Sequence, residues 1–82
     1  MASIGEQAMA DLFNVFLHNL VARLERIGYT VAVERDPTRL QYKAVVTHTH
    51  TGDTGEAWDW SPVAATEQAY ARVHAQIQEH SP

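Results

Sequence analysis

The first third of the chain repeats apolar side chains at helical spacing. They fall three or four positions apart, which places them on one side of a helix. Gly28 follows them, and glycine is the residue that most often ends a helix in a left-handed conformation. The pattern predicts a helix over residues 4–27 with one apolar stripe. The members of this stripe are Met9, Leu12, Phe13, Phe16, Leu17, Leu20, Leu24 and Ile27.

After this helix the apolar period changes to two, which is the spacing of a strand with one buried face. Residues 29–35 and 40–49 alternate in this way. Between them, residues 36–39 read Asp-Pro-Thr-Arg, a composition typical of a type I turn, so the two strands are expected to form a hairpin. A further turn over residues 52–55 then leads to a short third strand, predicted over residues 56–60.

The last segment again has helical spacing. Ser61 is a favourable N-cap, and Pro62 is tolerated in the first turn because its missing N–H has no partner there in any case. These signals predict a helix over residues 62–79. The chain is therefore expected to be one α+β domain, residues 1–82, with the order α-β-β-β-α. We predict a three-stranded antiparallel meander sheet with both helices packed on one face.

Two helices on one face leave the other face of the sheet open, and alternation predicts which residues lie on each. The residues expected on the buried face are Tyr29, Val31, Val33, Tyr42, Ala44, Val46, Trp58 and Trp60. Those expected on the open face are Thr30, Ala32, Glu34, Gln41, Lys43, Val45, Thr47, Ala57 and Asp59. In this interpretation the two tryptophans fill the core beneath the small residues Ala65 and Ala69.

The composition of the chain excludes several classes of functional site. The chain of 82 residues has no cysteine, so disulfides, thiolate metal sites and thiol nucleophiles are excluded. No apolar run is long enough to span a membrane, and the N-terminus lacks the basic start and apolar stretch of a signal peptide. A cytoplasmic protein with no membrane partner is the expectation.

Charge is unevenly distributed within a net charge of −4. Residues 23–43 hold five basic and three acidic side chains, a local net charge of +2. The rest of the chain holds seven acidic side chains and one basic, a local net charge of −6. One end of the molecule is thus expected to be basic, although the chain lacks the broad basic stripe of a protein that binds phosphate backbones.

The predicted order of elements is similar to that of double-stranded-RNA-binding domains, and the resemblance covers nearly the whole chain as topology. In that family the last helix begins with a lysine cluster directed at the RNA. The matching stretch here, residues 62–67, reads Pro-Val-Ala-Ala-Thr-Glu and contains no lysine. The resemblance therefore implies the fold, and the phosphate contacts of the family are missing.

No catalytic motif is present. Ser61 is better used as a helix cap, Gly52 and Gly55 form only a turn, and Glu56 and Asp59 fall on opposite faces of a strand. These observations predict a protein that is not an enzyme and that needs no cofactor.

The open sheet face instead predicts a small protein-interaction module, such as a phage or mobile-element inhibitor or an accessory protein. The face would bind a protein partner or a second copy of the chain. The residues predicted to bind the partner are Glu34, Lys43, Val45, Thr47 and Asp59.

Two further functions remain open. The basic cluster Arg35, Arg39 and Lys43 at the hairpin could contact nucleic acid. His48 and His50 lie two apart on a predicted strand, so both imidazoles would point the same way and could bind a metal ion. The further ligands considered for this metal are Asp53, Glu56 and His74.

Overall fold

The structure, a computed structural model, describes residues 4–80, and it describes side chains from residue 15 to residue 79. The elements are α1 (Ile4–Arg26), β1 (Tyr29–Asp36), β2 (Gln41–His48), β3 (Thr54–Asp59) and α2 (Pro62–His80). The strands form one antiparallel sheet in the order β1-β2-β3. The predicted α+β architecture and its α-β-β-β-α order are confirmed.

Most element ends lie within one residue of their predicted positions, and β3 is the exception. It was predicted over residues 56–60 and spans Thr54–Asp59 instead. Gly55, which the sequence suggested as part of a turn, lies inside the strand and pairs with Val46 of β2. This difference matters because it brings a glycine beneath α2.

A glycine turn connects α1 to β1, and it is hydrogen-bonded to Thr49, the residue that directly follows β2. Gly28 has a φ of 94°, and its N–H donates to the carbonyl of Glu25 at 3.2 Å. The Gly28 carbonyl accepts hydrogen bonds from both the backbone N and Oγ1 of Thr49, each at 2.9 Å. The turn therefore ends the helix and also fixes its position relative to the sheet.

The core lies between the helices and one face of the sheet. In the register of the sheet, Ala44 is opposite Ala57 and Val46 is opposite Gly55, all on this face. Helix α2 packs across β2 and β3, whereas α1 packs beside β1 and against α2. The buried apolar residues are Leu24, Tyr29, Ala44, Val46, Ala57, Ala65, Ala69 and Val73.

The face assignment of β3 was wrong by one position. Ala57 was predicted on the open face and is fully buried, whereas Trp58 was predicted in the core and lies on the opposite face. The reason is the close approach of α2: a Cβ built on Gly55 would lie only 2.8 Å from the backbone nitrogen of Val73. No indole ring fits in so narrow a space, so the tryptophan is placed outside.

Among the side chains that the structure describes, the apolar stripe of α1 is covered only in part. Leu24 is 4% exposed and belongs to the core, and Leu20 packs against it. In contrast, Phe16 and Ile27 remain 59% and 58% exposed.

Candidate partner-binding site

One face of the sheet carries no helix, and we refer to it as the outer face. It presents every second residue of each strand, in three rows across the sheet. These rows are Glu34, Lys43 and Trp58, then Ala32, Val45 and Glu56, then Thr30, Thr47 and Thr54. Most of these side chains are short, so the outer face is a shallow surface on which Trp58 is the largest side chain.

Trp58 is the centre of a contact cluster at the hairpin end of the outer face. The guanidinium carbon of Arg39 lies 4.1 Å from the centroid of the indole ring, and Nζ of Lys43 lies 5.5 Å from it. The indole Nε1 donates a hydrogen bond of 3.2 Å to Oδ2 of Asp36. Because cations are attracted to the face of an indole ring, these four residues act as one unit, the Trp58 cluster.

The loop between β1 and β2 places Arg39 over the ring. Oδ1 of Asp36 accepts hydrogen bonds from the backbone N–H groups of Thr38 at 2.9 Å and Arg39 at 3.3 Å. Leu40 then adopts a φ of 56°, a left-handed conformation that costs a non-glycine residue about 1 kcal/mol. The aspartate and proline of the predicted turn explain the first half of this loop, and Leu40 completes it.

The carboxyl group of Asp36 is held in its charged form. Desolvation by neighbouring atoms raises its pKa, but several other interactions lower it and together they outweigh desolvation. These are the two backbone N–H groups of the loop, the indole N–H of Trp58 and the positive charge of Arg39. The pKa of Asp36 therefore lies below the ordinary value of an aspartate, and the folded state favours the carboxylate.

A lowered pKa in the folded state predicts how stability depends on pH. The stabilisation from Asp36 is fully present above the unfolded pKa of about 4 and is lost as the pH falls through the lower, folded pKa. We expect Asp36→Asn to show a shallower fall in melting temperature between pH 5 and pH 2.5 than the wild-type protein, measured by circular dichroism.

Asp53→Asn is the matched control, because the Asp53 carboxylate accepts none of the hydrogen bonds described between residues 15 and 79. This variant is expected to reproduce the wild-type slope of melting temperature against pH. An Asp36→Asn slope equal to that of the wild-type protein would contradict the assignment.

The predicted basic cluster is divided between the two faces of the sheet. Lys43 pairs with Glu34 on the outer face, and Arg39 joins it above the indole ring. Arg35 instead pairs with Tyr42, whose position in the register is on the helix side. The structure thus brings two of the three predicted cations together, and it places the third on the opposite face.

Four of the five residues predicted for partner binding lie on the outer face: Glu34, Lys43, Val45 and Thr47. Asp59 was wrongly assigned to that face, because it pairs with Tyr42 on the helix side. Its carboxylate accepts hydrogen bonds from the backbone N of Ser61 at 3.1 Å and from Nε2 of Gln68 at 2.9 Å. The hydrogen bond from the backbone N–H of Ser61 is the largest of the interactions that lower the pKa of Asp59. Because Ser61 directly precedes α2, Asp59 helps to position the start of that helix.

Trp60 follows β3 and is 70% exposed, the largest exposed fraction among the described large apolar side chains. The prediction that Trp60 lies in the core is wrong, and the sequence signal against it is the series of small residues in α2. Ala65 and Ala69 allow the helix to approach closely, and a close approach needs small partners in the sheet, such as Ala44 and Ala57.

His48 and His50 lie at the opposite end of the sheet from the Trp58 cluster, with ring centroids 6.3 Å apart. Nδ1 of His48 accepts a hydrogen bond from the backbone N of Thr51 at 3.3 Å, and the ring packs edge-on against Tyr29. Among the side chains described, no three of the types His, Cys, Asp and Glu come together to hold a metal ion. None of the three further ligands considered from sequence therefore joins the pair.

Comparison of the chain with protein-family models, with curated proteins and with solved structures found no match in any of the three. Within residues 4–80, neither helix has the length and apolar character needed to cross a membrane.

Proposed function

We propose that this protein is a non-enzymatic protein-interaction module whose outer face binds an acidic segment of a protein partner. The observation that carries the proposal is the position of Arg39 and Lys43 over Trp58 on a sheet face that no helix covers. Tryptophan and arginine are the residue types that most often dominate the binding energy of protein interfaces.

The chemistry of the Trp58 cluster favours carboxylates. Arg39 packs over the indole ring, and a guanidinium group can bind a carboxylate through two parallel hydrogen bonds. Lys43 adds a second positive charge 5.5 Å from the centroid of the ring. A partner segment that carries an apolar side chain beside an acidic one would contact the ring and its cations together.

The distribution of charge adds orientation to this contact. Arg23 and Arg26 lie in the last turn of α1, at the other end of β1 from the hairpin, whereas Arg39 and Lys43 lie beside Trp58. An acidic segment that binds at the hairpin end is therefore attracted by the charges of Arg39 and Lys43.

The shape of the outer face also suits a partner segment. Beyond the Trp58 cluster the rows contain short side chains such as Ala32, Val45 and Thr47. A strand or helix of a partner can lie flat on such residues without a bulky side chain in its way. Glu34, next to Lys43, supplies a polar margin to the site.

The experiment uses a library of displayed 12-residue peptides, selected on the wild-type protein. We expect the selected peptides to be acidic, and we expect Arg39→Ala to weaken the best of them at least about tenfold in isothermal titration calorimetry. Arg35→Ala is the matched control. It removes the same charge from a site four residues away on the other face, and it is expected to change affinity less than about twofold.

Three results would overturn the proposal. They are the recovery of no binding peptide, an equal loss of affinity in Arg35→Ala and Arg39→Ala, and a selected peptide that binds Arg39→Ala as tightly as the wild-type protein. The second result would show that net charge matters and the Trp58 cluster does not.

A second candidate function, association with single-stranded nucleic acid, is favoured by the 70% exposure of Trp60, which directly follows β3. Bases stack on exposed indole rings, and basic side chains hold the backbone. This mode predicts binding to an oligothymidylate that weakens steeply as salt is raised. Absence of binding in low salt, measured by fluorescence anisotropy, would remove this candidate.

A further inference from the structure

The border of β1 that faces away from β2 carries unpaired backbone groups. The carbonyl of Gly28 accepts a hydrogen bond from the backbone N of Thr49, which lies opposite it when the β1–β2 register is extended by one residue. Hydrogen bonding alternates along an antiparallel strand, so the even-numbered residues of β1 bond to β2 and the odd-numbered residues point outward. Within residues 4–80, no backbone hydrogen bond from a turn or a helix cap reaches these outward groups. The outward residues, which we call the β1 edge, are Tyr29, Val31, Val33 and Arg35.

The opposite border of the sheet, on β3, is closed. The backbone N of His48 donates to the carbonyl of Asp53, so by the same alternation Glu56 points away from β2. Nη1 of Arg72 on α2 donates to the Glu56 carbonyl at 2.6 Å and lies where a further strand would have to bond.

Strand β1 lacks the usual protections of a sheet edge. Edges are commonly blocked by short strands, proline, lysine or bulges. β1 instead pairs over eight residues in unbroken register, and its sequence contains neither proline nor lysine. The β1 edge is therefore available for the addition of a strand.

The helices leave room for one more strand beside β1. Packed helices lie about 8–10 Å apart and neighbouring strands about 4.8 Å apart, so two helices cover about four strands. Helix α2 packs across β2 and β3, and within residues 4–80 α1 approaches β1 and no other strand. Helix α1 therefore lies over the border of the sheet, where Val31 and Val33 are only partly buried.

We propose that an extended segment of a partner protein binds to the β1 edge as a fourth, antiparallel strand. Its backbone supplies donors and acceptors at the spacing of those on β1, as in other cases of strand addition. The segment carries apolar side chains opposite Val31 and Val33, because these positions face the helix side. Its intervening side chains lie beside Thr30, Ala32 and Glu34 on the outer face and are polar.

A second copy of the chain does not fit the β1 edge. Pairing β1 with the β1 strand of another copy would bring both α1 helices to the same side of the joined sheet, over the junction. Each α1 already lies over the border of its own sheet, so the two helices would compete for one space. A segment without a helix avoids this collision.

This inference does not rest on the proposed function, because Trp58 lies on β3 and Arg39 in the hairpin loop, whereas the β1 edge is the far border of the sheet. Arg39→Ala is expected to bind an added strand like the wild-type protein. Val33→Pro is expected to bind acidic peptides like the wild-type protein. Failure of one proposal is thus distinguished from failure of the other.

The first experiment uses a synthetic peptide with the sequence of residues 41–48 as the probe. This sequence is the natural neighbour of β1 and places tyrosine, alanine and valine at alternate positions. Amide hydrogen exchange of Val31 and Val33, followed by NMR, is expected to slow at least about tenfold when the peptide is added. The N–H of Ala32 already bonds to β2 and is the internal control. Unchanged exchange of Val31 and Val33 at millimolar peptide would overturn the proposal.

N-methylated forms of the peptide test the pairing with the protein unchanged. In the proposed alignment the N–H groups at the positions of Ala44 and Val46 face the β1 edge, and those at the positions of Lys43 and Val45 face water. Methylation of the first two is expected to weaken binding at least about tenfold in an NMR titration. Methylation of the second two is the matched control, with an expected change of less than about twofold. Equal losses in both peptides would contradict strand pairing.

Val33→Pro tests the same contact from the protein side, because proline removes an outward N–H and is tolerated on edge strands. It is expected to weaken binding of the peptide at least about tenfold. Glu56→Pro makes the matched change on the closed border and is expected to have less than about a twofold effect. Circular dichroism shows whether each variant is folded.

Two further results would overturn the proposal. One is a folded Val33→Pro protein that binds the peptide as tightly as the wild-type protein. The other is slow exchange of Val31 and Val33 in the free protein that becomes slower as protein concentration is raised, because a second copy would then occupy the β1 edge.

Discussion

Gly55→Ala is expected to lower the free energy of unfolding by about 3 kcal/mol or more, which would leave much of a small domain unfolded. The added Cβ would overlap the carbonyl oxygen of Ala69 and lie 2.8 Å from the backbone nitrogen of Val73. Both neighbours are backbone atoms of α2, and backbone atoms cannot rotate away as a flexible side chain can. The helix would have to move off the sheet, which disrupts packing around Ala57 and Val46.

The measurement is unfolding in urea, followed by tryptophan fluorescence and circular dichroism. Gly52→Ala is the matched control: Gly52 has a φ of +78° and has no atom within 4 Å of its built Cβ position. That variant is expected to lose only about 1 kcal/mol through backbone strain. Equal stability of the two variants would contradict the close contact between β3 and α2.

Val46→Thr is expected to lower the free energy of unfolding by about 2 kcal/mol, because it places a hydroxyl group in the core. Val46 is fully buried and lies against the helix side of the sheet, opposite Gly55. Threonine has nearly the shape of valine, so the change tests the environment of the side chain and not its volume.

The matched control is the neighbouring residue. Val45 lies on the outer face in the row of Ala32 and Glu56, where a threonine hydroxyl can reach water. Val45→Thr is expected to change the unfolding free energy by less than about 0.5 kcal/mol in the same urea experiment. A large loss in Val45→Thr would show that the outer face is covered, and it would remove the basis of the proposed function.

Much of the architecture could be predicted from local patterns. Helical spacing up to Ile27 and the glycine at position 28 located the end of α1 to within one residue. Alternation located β1 and β2 equally well, and the serine–proline pair located the start of α2 at Pro62. These signals act over a few residues and depend on propensity and periodicity. They can therefore be recognised in the sequence without knowledge of tertiary contacts.

The position of the tryptophans could not be predicted in the same way. Size and hydrophobicity favour the core for Trp58, and a six-residue strand contains too few alternating positions to contradict that interpretation. The decision comes from the distance between α2 and the sheet, which Gly55, Ala57 and Ala69 make short. That distance is a property of two elements packed together, and neither element shows it alone.

The candidate site was predicted in part. Glu34, Lys43, Val45 and Thr47 were assigned to the correct face because β1 and β2 have clear alternation. The contact of Arg39 with Trp58 joins a loop residue to a strand 19 positions later in the chain, and no local pattern contains it. The close packing of α2 on β3 places Trp58 on the outer face, and by alternation it places the next residue, Asp59, on the helix side.

Local patterns along the chain specify the elements, their order, the one-sided sheet and the absence of thiol chemistry, because periodicity, turn residues and composition are local properties. Tertiary packing sets which side of β3 faces the helices, how the cations meet Trp58 and how exposed Phe16 and Ile27 of α1 remain. Those outcomes depend on how closely α2 approaches the sheet. Small side chains from three separate elements set that distance together.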